Sequence, residues 1–133
     1  MSEPKQVIVM RKDLNMRKGK IAAQASHSSV KVILDLMVTT YDGSDVIRTL
    51  SIDKATALNA WIEGRFTKIC VYVNSEAELV EIYNKANKEG LLCSLITDAG
   101  LTEFNGVPTI TCAAIGPAFP DQLIGITNEL PLL

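Results

Sequence analysis

A chain of 133 residues, 47% hydrophobic and 21% charged, is long enough for one compact core, cramped for two, and too apolar for a disordered polymer. Its net charge of -2 and pI near 5.4 argue against a general nucleic-acid module, which is normally basic overall. No apolar run approaches the roughly 18 residues of a membrane span. Cys70, Cys93 and Cys112 have no CxxC spacing and each lies in an apolar run, which reads as buried thiols of a reducing compartment rather than a disulfide framework or a metal site. "MSEPKQVIVM" has no secretory pattern, so the expected location is the cytoplasm.

In chain order, Val7, Ile8, Val9 and Met10 form an apolar run that predicts a strand buried on both faces. The polar "RKDLNMRKG" follows, and residues 20–38 then place Ile21, Ala25, Val30, Ile33, Leu34 and Met37 at helical spacing. Residues 39–52, rich in turn formers, read as a loop. "SIDKATALNAWIEG" predicts a short helix with Ser51 or Asp53 as N-cap and Gly64 as its stop. "FTKICVYV" is a second strand, and "NSEAELVEIYNKANKEG" a helix opened by a Ser75/Glu78 capping box and ended by Gly90. "LLCSLITD" and "VPTITCAAIG" are two further strands, and "PDQLIGITNELP" reads as a last helix opened by Pro120.

The order β-α-α-β-α-β-β-α, with strands apolar throughout, predicts a mostly parallel sheet covered on both faces, in a single domain spanning 1–133. The link "AGLTEFNG" is too short for a parallel crossover, so the last strand is expected to run antiparallel to the one before it.

Ligands of open α/β sheets collect beyond the carboxyl ends of the parallel strands. Two polar segments emerge there, "RKDLNMRKGK" and "DAGLTEFNG". In the first, Gly19 permits close backbone approach, the helix start supplies free N–H groups, and Arg17, Lys18 and Lys20 add charge, which together describe an anion site. The bland alternative is a solvated basic loop. Asp98 sits at a strand mouth, where a carboxylate either caps the turn through the N–H groups of residues 100 and 101 or serves chemistry. Thr102 supplies a hydroxyl to the same space. Thr109 and Thr111, at period two, share a strand face, although threonine is also simply a good strand former. Gln24 and the sole histidine, His27, follow Lys20 by one and two helical turns. His27 is either a base or a residue satisfied by an ordinary hydrogen bond. No GxSxG elbow occurs, and the aromatic residues read as packing. Pattern alone therefore stops at an α/β domain with an anion site.

"KQVIVMRKDLNMRKGKIAAQASHSSV" closely resembles the opening of the type 2 peptidyl-tRNA hydrolases, with their "DLxMxKGKxAAQ" segment, and "LITDAGLTEFNG…TITCAAIGP" resembles that family's second hallmark. The resemblance implies a three-layer α/β/α sandwich with a four-stranded mixed sheet whose last strand is antiparallel. It also implies hydrolysis of the ester joining a peptide to tRNA, no metal or organic cofactor, peptidyl-tRNA as partner, no membrane association, and a homodimer. Carried over by position, it implies catalytic roles for Lys20, Asp98, Thr102 and Thr111. Substrate binding falls to Arg17, Lys18, Gly19, Gln24, His27 and Thr109, with Thr109 standing as the alternative to Thr111 for the strand threonine. The chain departs from the family pattern at Arg17, where glycine is common, at Leu101, where arginine is usual, and in residues 39–60, which are longer than expected. A noncatalytic relative that binds RNA, a nucleotide or a protein through the same anion site is the competing reading.

Overall fold

Val7 and Val9 project to one side of the first strand and Ile8 and Met10 to the other, and this alternation sets the layering of the molecule. The computed structural model describes residues 3–133. Its main sheet holds β1 (Lys5–Arg11), β4 (Lys68–Val73), β5 (Cys93–Asp98) and β6 (Thr109–Ala118) in the order β4-β1-β6-β5. Helix α1 (Lys18–Leu34) covers one face, where Ile21 and Ala25 meet Ile8, Met10, Ile96 and Cys112. Helix α3 (Glu76–Lys88) covers the other, where Leu79, Ile82 and Ala86 meet Val7, Val9, Val71 and Ile115. The result is the expected α/β/α layering around a four-stranded mixed sheet.

Strand directions refine the expectation of a mostly parallel sheet. β1, β4 and β5 point the same way, but β6 is inserted between β1 and β5 and runs against both. Among the described residues only the β1–β4 pairing is parallel. The short link from β5 forced β6 to reverse, and a reversed strand in the centre converts two of the three pairings to antiparallel.

Local signals place most element ends. In α3 the Ser75 hydroxyl accepts from the Glu78 N–H at 3.1 Å, while the Glu78 carboxylate reaches back to the Asn74 N–H at 2.8 Å, one residue before the usual partner. Gly90, at φ +75°, follows the last turn as expected. Helix α2 (Ala57–Glu63) ends at Gly64 but is capped by Thr56, whose hydroxyl accepts from the Asn59 N–H at 3.2 Å. Neither Ser51 nor Asp53 is the cap: Asp53 instead accepts from the Ala55 N–H in the preceding turn.

Two segments differ from the sequence expectation. The supposed loop 39–52 contains a β-hairpin, β2 (Val38–Asp42) and β3 (Asp45–Thr49), paired around Gly43 at φ +59°. Its Asp-Gly turn signal and its Thr, Val and Ile content favour a hairpin, but the solvated strands carry no continuous apolar face to mark them. The expected final helix is a single 3-10 turn, Pro120–Leu123, followed by further turns, because Gly125 adopts φ +81° and ends helical winding. The three cysteines are free, yet only Cys112 is fully buried; Cys70 and Cys93 are half-buried.

No helix among the described residues is long and apolar enough to cross a membrane.

Candidate active site

The N-terminal turn of α1 is built against electrostatic preference. A helix start favours acids, since its free N–H groups carry partial positive charge. Here Arg17 is the N-cap with no side-chain cap, Lys18 and Lys20 occupy the first turn, and no acid is present there. The compensating carboxylate comes from 78 residues further along the chain. Lys20 Nζ donates to Asp98 Oδ1 at 2.9 Å and to Thr102 Oγ1 at 2.8 Å, so "KGK" and "DAGLT" meet as one site.

Asp98, the last residue of β5, is held from several sides. Its Oδ1 also accepts from Gln24 Nε2 at 3.2 Å, and its Oδ2 accepts from the Gly100 N–H at 2.9 Å. The expected turn cap is thus made by Oδ2, while Oδ1 holds the ion pair with Lys20. The Lys20 hydrogen bond, aided by the Gly100 N–H, the Lys20 charge and Gln24, holds this carboxyl below its ordinary value despite partial burial. Asp98 is therefore a stable anion and a weak base.

The turn after Asp98 requires Gly100. Its φ is +81°, and a Cβ there would lie 2.5 Å from the Val107 carbonyl oxygen. The Gly100 carbonyl then accepts from the Gly106 N–H at 2.8 Å, closing the loop that carries Thr102 back over Lys20. Gly19 has the opposite character. Among the described residues nothing lies within 4 Å of a Cβ built on it, so its bareness serves no packing need there and leaves the helix start open.

Behind the ion pair runs a directional relay. The Thr111 hydroxyl donates to Gln24 Oε1 at 2.6 Å, which fixes the Gln24 amide so that its NH2 faces Asp98. Cys112 Sγ lies 3.3 Å from the Gln24 carbonyl oxygen. Thr111 and Cys112 both reach α1 because Thr111 is the extra residue of a β-bulge: Ile96 pairs with Cys112 and Thr97 with Ile110. Burial pushes the Cys112 thiol up to about 11, which makes it an inert wall.

Of the ten sequence candidates, Lys20, Asp98, Thr102 and Gln24 are directly bonded together, while Arg17, Gly19 and His27 line the same open groove of about 480 Å³. Thr111 is fully buried and touches Gln24, not Asp98. The Thr109 hydroxyl donates to the Val107 carbonyl at 2.8 Å and to no member of the cluster. Lys18 is exposed beside the groove. Three contributors were not anticipated. Glu103 lines the groove, and the Phe104 ring lies 5.9 Å from Lys20 Nζ. Arg11 ties the end of β1 to the start of β6 through the Ile110 carbonyl at 2.9 Å while gripping Asp13. Only the neighbourhood of "DAGLT" hinted at the first two.

Comparison with known proteins gives this constellation a context. The family model "Peptidyl-tRNA hydrolase PTH2" matches residues 4–133. The chain belongs to this family. It is 40% identical to the peptidyl-tRNA hydrolase of Methanocaldococcus jannaschii, over 97% of this chain and 99% of that protein. The peptidyl-tRNA hydrolase of Sulfolobus acidocaldarius is 38% identical over the same shares, 97% and 99%. That of Saccharolobus solfataricus is 39% identical over 97% of this chain and 98% of its own.

Proposed function

We propose that this PTH2-family chain hydrolyses the ester between a peptide and tRNA, using Lys20, Asp98 and Thr102. Convergence of these side chains across 78 and 82 residues of sequence is the observation that carries the residue roles. The reaction adds water to the ester carbonyl carbon, develops an oxyanion, and breaks the bond to the ribose oxygen, which leaves with a proton as the tRNA hydroxyl.

The site is richer in donors than in basic acceptors. An ammonium has three N–H groups; two of those on Lys20 are taken by Asp98 and Thr102, which leaves one for a substrate in the groove that Lys20 lines. Because Thr102 Oγ1 accepts from Lys20, its own O–H is free to donate outward. These two donors stabilise the oxyanion, a contribution of about 10²–10³-fold for each donor. Asp98 holds Lys20 in place and orients the incoming water through its remaining lone pair; as a weak base it directs the water more than it deprotonates it. Gln24 and Thr111 are positioning residues, since they act through Asp98.

Arg17 and Lys18 hold the tRNA backbone, which reads charge and not sequence and suits an enzyme that accepts many tRNAs. Leu101, 88% exposed beside Thr102, adds no cation there, so the backbone contact rests on the α1 side. The three free cysteines fit a reducing cytoplasm, and a homodimer is the expected assembly, measurable by light scattering. The deciding experiment incubates the protein with N-acetyl-aminoacyl-tRNA and with unblocked aminoacyl-tRNA. Release of the blocked amino acid alone is expected, and no release at high enzyme concentration refutes the function.

A further inference from the structure

The active-site groove does not end at His27. That residue also lines a second groove, of about 550 Å³, which continues between α1 and β5 past Val30, Leu34, Ile96 and Thr97. Val30 and Leu34 are each 53% exposed. Beside them lies an open sheet edge: β5 is the last strand of the sheet and, among the described residues, pairs with β6 alone. Alternate residues of such a strand direct N–H and C=O groups away from the sheet, unpaired.

We propose that this groove binds the peptide portion of the substrate as an extended strand along the free edge of β5, an inference that rests on the peptidyl-tRNA reading above. Charge divides the two halves of the substrate. Arg17 and Lys18 stand at the helix start, so the polyanionic tRNA occupies that mouth and the peptide must leave by the other. The second groove carries no such excess, its Lys31 and Asp35 being paired with each other at 3.1 Å. Direction also agrees. β5 ends at Asp98, so a peptide whose carboxyl-terminal ester sits at Lys20 and Asp98 runs parallel to β5. Recognition by strand addition takes its affinity from main-chain hydrogen bonds, which suits an enzyme that must accept peptides of any sequence. Between Lys20 and Leu34 the helix rises about 21 Å, and an extended chain advances about 3.3 Å per residue, so the groove holds about six peptide residues.

The test compares kcat/KM for N-acetyl-aminoacyl-tRNA and for tRNAs carrying peptides of two to ten residues, using the wild type and a Val30→Glu/Leu34→Glu variant. The wild type is expected to gain at least roughly tenfold with length, the scale of a single net hydrogen bond, and to plateau near six residues. The variant should still hydrolyse the short substrate but lose most of that gain, because two glutamate side chains standing in the groove keep the peptide from the β5 edge. Equal wild-type rates at all lengths, or the same gain in the variant, overturn the proposal. A variant that shifts from dimer to monomer with its length preference intact also overturns it, by assigning the groove to a second copy of the chain. Hydrolysis of no substrate by the wild type instead refutes the functional reading, and the peptide groove with it.

Discussion

Helix α1 carries the same pair of charges at both ends and uses them differently. Near its C-terminus Lys31 bonds Asp35 four residues on, with side chains 46% and 53% exposed. At its start Lys20 bonds Asp98, with side chains 13% and 14% exposed and the carboxylate anchored by Gln24 and Gly100. The first pair is a product of helix geometry, free to form and dissolve in water. The second can form only after the sheet has brought two distant segments together, and it holds a cation at the mouth of a groove. The role proposed for this ion pair rests on the scaffold that constrains it, not on its chemical type.

Mutations at the two ends should separate these roles. Lys20→Ala is expected to lower kcat/KM for N-acetyl-aminoacyl-tRNA by about 10²–10³-fold with the secondary structure intact; Lys31→Ala should leave the rate unchanged and cost at most about 0.5 kcal/mol in a urea melt. A rate loss from Lys31→Ala as large as that from Lys20→Ala would erase the distinction. Thr111→Val comes next. It removes the donor that orients Gln24 and leaves a buried acceptor unsatisfied, a stability cost of about 1–3 kcal/mol. Its rate loss should fall in kcat rather than KM, because Thr111 does not reach the groove.

The pH dependence of stability sharpens the comparison further. Asp98 is held below its unfolded value of about 3.9. Its contribution is therefore fully present above that range, shrinks as pH falls past the unfolded value, and is lost below the folded one. The stability difference between wild type and Asp98→Asn should accordingly be flat from pH 8 to about 5 and collapse in stronger acid. A difference that varies between pH 6 and 8 would contradict the assignment of Asp98 as a stable anion. The smallest effect concerns the basic rim. Leu101→Arg restores a cation near Thr102 and should steepen the salt dependence of tRNA binding by about one unit of log–log slope, read from KM at several salt concentrations.

Much of this was legible in the sequence where local and global signals agree. The apolar strands, the Ser75 cap, Gly64 and Gly90 all act through near neighbours, and the structure follows them. The meeting of Lys20 with Asp98 was legible too, because the segments that carry them both emerge at the carboxyl ends of strands that share a direction. What escaped depended on pairing or on weak patterning. Hairpin β2–β3 is exposed along its length, so no burial period marks it. The bulge at Thr111 exists only in the register between β5 and β6, and no stretch of one strand can announce it. The relay through Gln24 follows from that bulge, which is why spacing favoured Thr111 but kept Thr109 as an alternative.

The central claim is that Lys20 and Asp98 work as one unit on the ester of peptidyl-tRNA. The most direct test is kcat/KM on N-acetyl-aminoacyl-tRNA for Lys20→Ala, Asp98→Asn and the double variant. Residues that act together lose activity non-additively, so the double variant should fall within about threefold of the worse single variant. Losses that multiply, or single variants that keep the wild-type rate, would contradict the account.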